Sequence, residues 1–219
     1  MTEHTDPLVL DAAAASALLA GAPWKRLAVL GDSIAAGVRD PAPGYRDLSW
    51  TDRIAEALDA DVLNLGRRDL LAAEIRATQL APALAFAPDL AIVTAGGNDM
   101  LRREFDEDGV RRELTALVAA LRDAGADVVT IGLFDITAAG LGHARFRDVI
   151  AARTAALNAV AEQVAAEHGA WHVPHPPDHP AAGDPGIFSA DGLHLNARGH
   201  AIAATTTLHA LAAALPARG

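Results

Sequence analysis

The sequence predicts an α/β fold in which a mainly parallel five-stranded sheet carries helices on both faces. Three observations carry that prediction. Short apolar runs alternate with longer helix-like segments along the chain, the pattern of strand–helix–strand units. Runs such as Leu90-Ala-Ile-Val93 are apolar at every position, as expected of strands covered on both faces. The 219 residues are 51% hydrophobic and no Pro/Gly/Ser-rich linker divides them, which predicts one domain over 1–219.

An N-terminal extension, 1–23, precedes the first strand. Leu8 to Ala22 is largely apolar and alanine-rich, but Asp11 interrupts it, and Met1 to Pro7 carries acids without Lys or Arg. A secretory leader needs a basic start and an unbroken apolar stretch. The segment is therefore expected to be a short packed helix of a cytoplasmic protein, with secretion the less favoured address. No stretch reaches the ~18 uninterrupted apolar residues of a membrane-spanning helix.

Strands are then expected at Leu27–Leu30, Asp61–Leu65, Leu90–Thr94, Val128–Leu133 and Ala170–Val173, each short, mostly apolar and bounded by polar, Gly or Pro residues. Helices are expected between them at Ser49–Leu58, Leu71–Phe86, Glu107–Ala124 and Arg145–His168. In the last of these Leu157, Val160 and Val164 share one face. A final helix is expected at Ala197–Ala214, with Asn196 as its cap.

Composition removes several functions. The net charge of −10 argues against nucleic acid and anionic membrane surfaces. The absence of cysteine excludes disulfides, a thiol nucleophile and cysteine-ligated metal. His172, His175, Asp178 and His179 are metal-ligand types, but prolines stretch their segment and the spacing fits no zinc pattern. The segment reads as a solvated loop beside the site, or else as part of a substrate wall. Arg102-Arg103 and Arg111-Arg112 lie among acids and read as an ion-paired helix face. No metal or organic cofactor is expected.

In open parallel sheets, ligands bind beyond the carboxyl ends of the strands. Four loops place chemistry-bearing residues there: Gly31-Asp-Ser33, Asn64-Leu-Gly66, Gly96-Gly-Asn-Asp99 and Asp191-Gly-Leu-His194. A carboxylate three residues before a histidine can hold its ring in one tautomer. Such a histidine can take a proton from a serine hydroxyl, which is a poor nucleophile without a base. Asn98 offers an amide N–H to a developing oxyanion. Taken singly, Gly-Asp-Ser also reads as a turn and Asn98 as an Asx turn. Together the loops predict a serine hydrolase.

These blocks, in this order and separation, resemble the SGNH/GDSL hydrolase family from about Leu27 to Ala214. The resemblance implies a flavodoxin-like three-layer α/β/α sandwich and ester hydrolysis. It implies Ser33 as nucleophile, His194 as base and Asp191 as its orienting partner. It also implies an oxyanion hole formed by the Ser33 N–H, a second-block N–H and the Asn98 side chain. The family's second block has a glycine about five residues after the Asn; here that position is Asp69. The second donor is then the Asp69 N–H, or that of Gly66 in a shifted loop. A carboxylate beside an oxyanion is unfavourable unless it points away or pairs, for example with Arg67 or Arg68.

The expected activity is cleavage of small-molecule, lipid or sugar carboxylic esters through an acyl-enzyme. A thioesterase or carbohydrate O-deacetylase using the same residues is the chemical alternative. The alternative from another class is a catalytically weakened ligand-binding member of the fold.

Overall fold

The structure, a computed structural model, describes residues 1–215. Strands β1 (Arg26–Gly31), β2 (Asp61–Asn64), β3 (Leu90–Thr94), β4 (Asp127–Ile131) and β5 (Trp171–Val173) form one parallel sheet in the order β2-β1-β3-β4-β5. Leu27 lies opposite Leu90 and Gly31 opposite Thr94, so β1 and β3 end side by side. The strand order reverses between these two, which opens a crevice beyond their carboxyl ends.

Seven α-helices cover the sheet among the described residues: α1 (Ala12–Leu18), α2 (Trp50–Leu58), α3 (Ala72–Phe86), α4 (Gly97–Met100), α5 (Glu107–Asp123), α6 (Arg147–Glu167) and α7 (Ala197–Ala214). Strand periodicity splits the core in two. Leu27 and Val29 point to α1, α2 and α7, where they meet Trp50, Ile54 and Leu208. Ala28 and Leu30 point the other way, into Ile75, Leu117 and Val164 of α3, α5 and α6. The result is the expected flavodoxin-like three-layer sandwich.

Local chemistry sets the helix starts. The Ser49 side chain accepts from the Asp52 N–H while Asp52 accepts from the Ser49 N–H, a capping box that begins α2. Asn196 accepts from the N–H groups of Arg198 and Gly199 and begins α7 at the expected residue. Before α1, buried Glu3 pairs with Arg53 at 2.7 Å and with Arg46 at 3.0 Å, and Asp6 pairs with Arg198 at 2.8 Å. The N-terminal segment is thereby tied to α2 and α7.

Three details differ from the expectation. β4 ends at Ile131 rather than Leu133, because the Asn158 side chain of α6 takes both the N–H and the C=O of Leu133 at 2.8 and 3.0 Å. A 3₁₀ turn at Ala144–Phe146 precedes α6, which begins at Arg147. The four-residue helix α4, with Gly96 before it at φ +99°, stands where a loop was expected. Of the expected ion-paired arginines, Arg112 lies 3.6 Å from Asp106, and Arg111 bonds Gln163. Among the described residues no helix is long and apolar enough to cross a membrane.

Candidate active site

β1 carries Ser33 to the crevice, and its end is shaped by neighbours from α3 and β3. Gly31 has φ +153°, and a Cβ there would lie 2.2 Å from Thr94 Oγ1, so the position requires glycine. The buried Gln79 amide of α3 clamps the same residue: its Oε1 accepts from the Gly31 N–H at 2.7 Å and its Nε2 donates to the Gly31 carbonyl at 2.9 Å. The N–H would otherwise lack an acceptor inside the protein, while the carbonyl also accepts the Arg67 N–H at 3.2 Å. Gln79 had no local sequence signal; it lies 48 residues from its partner.

His194 arrives on a surface loop before α7. His194 Nε2 is 2.8 Å from Ser33 Oγ, and His194 Nδ1 is 2.6 Å from Asp191 Oδ2. Asp191 Oδ1 accepts the backbone N–H groups of Leu193 and His194. Partial burial would raise the Asp191 carboxyl, but bonds from the His194 ring and these N–H groups bring it down to about 2. It is therefore an anion at neutral pH. A proton on Nδ1 faces it, which leaves the Nε2 lone pair toward the serine hydroxyl.

Hydrogen bonds hold this loop. The Ser189 N–H donates to the His194 carbonyl at 2.7 Å, and Phe188 bridges Leu195. Asp40, absent from the sequence-based set, accepts the Ala190 N–H at 2.8 Å, while its own N–H donates to Ser189 Oγ at 2.9 Å.

Asn98 sits in α4. Its Nδ2 donates to the Leu70 carbonyl at 3.0 Å and lies 3.4 Å from Asp32 Oδ2. Asp32 is buried, and burial pushes its carboxyl up to about 6 despite the Ile34 N–H that it accepts. The Ser33 N–H, expected to face an oxyanion, makes no hydrogen bond among the described residues.

The second block is stitched to the turn after Ser33. Asn64 Nδ2 donates to the Ala35 carbonyl at 2.8 Å, and Asn64 Oδ1 accepts the Gly66 N–H at 2.9 Å. A Cβ at Gly66 would lie 2.2 Å from Ala36 N, so this glycine serves close backbone approach. Its N–H is already committed. Asp69 adopts φ +67°, the left-handed region in which glycine is easiest and Asp is tolerated. Its side chain is exposed and forms no ion pair with Arg67 or Arg68 among the described residues. Its N–H makes no hydrogen bond among those residues. Neither Gly66 nor Asp69 lines the central cavity.

That cavity measures about 100 Å³ and reaches Ser33, Asn98 and His194. Its other walls are mostly apolar, including Met100, Ile131, Leu133, Phe134 and Phe188. The histidine-rich segment was expected to be solvated, with a substrate wall as its other reading. The structure corrects the first at His175, which is buried and part of the cavity wall. No group of three or more metal-ligating side chains forms among the described residues.

Solved structures share the architecture. TesA is 25% identical and superposes with a TM-score of 0.65, covering 85% of this chain and 98% of its own. A catalytic mutant of the acetylxylan esterase Axe2 from Geobacillus stearothermophilus is 19% identical, with a TM-score of 0.68 and 85% and 94% covered. A putative SGNH hydrolase from Slackia heliotrinireducens is 23% identical, with a TM-score of 0.64 and 85% and 98% covered. No curated protein matches the chain in sequence. The model of the GDSL-like lipase/acylhydrolase family matches residues 29–202, from the strand that carries Ser33 past the loop that carries His194. The chain belongs to that family of serine ester hydrolases.

Proposed function

We propose that the chain cleaves carboxylic esters through an acyl-enzyme formed on Ser33. The continuous relay Ser33–His194–Asp191, at 2.8 and 2.6 Å, carries the reading. Ser33 Oγ attacks the ester carbonyl as His194 Nε2 removes its proton. The tetrahedral intermediate collapses and expels the alcohol, which takes that proton from His194. Water, deprotonated by the same nitrogen, then releases the acid. Asp191 orients the ring and stabilises its charged form.

The unengaged N–H of Ser33 supplies one oxyanion donor, and the Asn98 amide, one N–H of which is spent on the Leu70 carbonyl, turns its second from Asp32 to supply another; loss of one such donor typically slows turnover ~10²–10³-fold. Of the two second-block candidates only the Asp69 N–H is free of a partner among the described residues, that of Gly66 being spent on Asn64, and neither residue reaches the cavity wall. Asp69 supplies the left-handed backbone that a glycine would otherwise give, and its exposed carboxylate stays out of the cavity wall. The walls suit a short, largely apolar acyl or alcohol group.

Hydrolysis of p-nitrophenyl acetate, butyrate, octanoate and palmitate by wild type and Ser33→Ala tests the reading. Wild type is expected to turn over the short esters, and the variant to lose ~10⁴-fold or more with unchanged circular dichroism. Full activity in Ser33→Ala would overturn the assignment.

A further inference from the structure

Residues near the start of the chain reach the stems of the loop that presents His194. Asp6 lies outside the stretch matched by the family model, which begins at residue 29, yet its side chain is buried. Its Oδ2 accepts the Tyr45 hydroxyl proton at 2.7 Å and the Arg198 Nε–H at 2.8 Å, and its Oδ1 accepts the Leu8 N–H at 3.0 Å. Burial alone would raise this carboxyl, but the bonds from Tyr45 and Arg198 hold it below the usual aspartate value. Asp6 is therefore a buried, fully partnered anion in a segment where solvated side chains are the norm.

Arg198 connects that anion to the His194 loop. It stands in the first turn of α7, just after the loop closes at Asn196, and its Nη1 donates to Asp184 Oδ2. Asp184 stands before the loop, and its Oδ1 accepts the Gly186 N–H at 2.8 Å. The Asn196 amide draws the same neck together by donating to the Gly186 and Phe188 carbonyls, each at 2.9 Å. One guanidinium thus joins the chain start, the turn at Pro185–Ile187 and α7. A second brace lies beside it. The Glu3 N–H donates to the Gly44 carbonyl and the Glu3 carboxylate accepts the Arg46 N–H, both at 2.9 Å. These residues belong to the stretch that carries Asp40, whose carbonyl accepts the Ala197 N–H at 2.9 Å.

We propose that Asp6 is a positioning residue for ester hydrolysis, holding Arg198 and through it the loop that sets His194 against Ser33. This rests on the ester-hydrolase reading and deepens it by adding a residue remote from the cavity. Without Asp6, Arg198 keeps one carboxylate of two, and a half-paired charge in a buried setting is costly. The neck then shifts, and the 2.8 Å contact between His194 Nε2 and Ser33 Oγ is lost from the average structure. Small misplacements of a reacting group slow a reaction even when their origin is distant. Asp6 does not line the cavity, so substrate binding is left alone.

Steady-state hydrolysis of p-nitrophenyl butyrate gives the first test. In Asp6→Ala, kcat is expected to fall ~10–100-fold with KM little changed, and Asp6→Asn, which retains an oxygen acceptor, should recover part of the loss. A merely structural role would lower the melting temperature and leave kcat of the folded protein at the wild-type value, which overturns the proposal. Hydrogen exchange in wild type gives a second test that needs neither a folded variant nor turnover. The Leu8 N–H reports on Asp6, which accepts it, and the Ser189 N–H reports on His194, whose carbonyl accepts it at 2.7 Å. If Asp6 holds the loop, the two amides open as one unit, with the same free energy and the same denaturant dependence. Separate openings, in either order, overturn the proposal. If every ester is inert, the hydrolase reading is what has failed, and the exchange result alone decides whether Asp6 holds the His194 loop.

Discussion

The two halves of the proposed catalytic relay are held in different ways. Ser33 stands at the end of a central strand whose residues Leu27 to Leu30 are fully buried, and Gln79 clamps the peptide two residues before it. His194 rides on a loop whose Asp191 side chain is 46% exposed, and its position depends on hydrogen bonds within the loop and to Asp40. Ser33 is fixed by the core and His194 by the network of its loop. Damage on the first side should therefore appear in stability, and damage on the second in turnover at nearly constant stability.

Asp191→Asn gives the largest expected effect. The amide cannot hold the His194 tautomer or stabilise its charged form, so kcat should fall ~10³–10⁴-fold while Tm changes by only a few degrees. Steady-state kinetics beside a thermal melt measures both. An unchanged kcat would mean that the base needs no carboxylate partner. Gln79→Leu attacks the other half. It strips the buried Gly31 N–H of its acceptor, at a cost of about 1–3 kcal/mol. Denaturant unfolding should show that loss, and kcat should fall alongside it; wild-type stability would deny the clamp its role.

Those two variants also divide what the sequence reveals from what it does not. The strands, α2 and α7 are legible because apolar runs and cap residues such as Ser49 and Asn196 are local signals. Ser33, Asn98, Asp191 and His194 are legible because their blocks are local too. Gln79 is not, since its amide serves a residue 48 positions away. His175 misleads for a related reason. The prolines around it describe an extended backbone but say nothing of burial, which comes from Gly132 and Phe134 on another strand's loop. The end of β4 is equally opaque, because Asn158 captures Leu133 across a distance of 25 residues. Asp69 is visible as a departure from the family pattern, whereas its left-handed backbone emerges only in three dimensions.

Asp32 sharpens the contrast through pH. Its carboxyl is raised by burial from 3.8 to about 6, so the folded chain binds a proton more tightly than the unfolded chain. Stability from this group is greatest below pH 3.8, declines as pH rises toward 6 and stays reduced above it. Asp32→Asn removes the buried charge, so its gain in stability over wild type should be larger at pH 8 than at pH 4, by on the order of 2–3 kcal/mol. Melting curves at the two values check the sign, and an equal effect at both would show that Asp32 does not titrate differently on folding.

Asp40→Ala should give the smallest change. It removes the acceptor of the Ala190 N–H and loosens the loop that carries the base, at a cost of about 1 kcal/mol. A fewfold fall in kcat with little change in Tm is expected. A large loss of global stability would show that the loop belongs to the core after all.

Ser33 and His194 are separated by 161 residues, and their hydrogen bond closes most of the 219-residue chain upon itself. Ser33 emerges early in synthesis and His194 nearly last, after the residues of β5. Until then the ribosome-bound chain holds a serine hydroxyl with no group to activate it. On the proposed reading, reactivity toward esters is thus withheld from any chain too short to include the His194 loop. A chain truncated anywhere before that loop lacks the base proposed for ester hydrolysis.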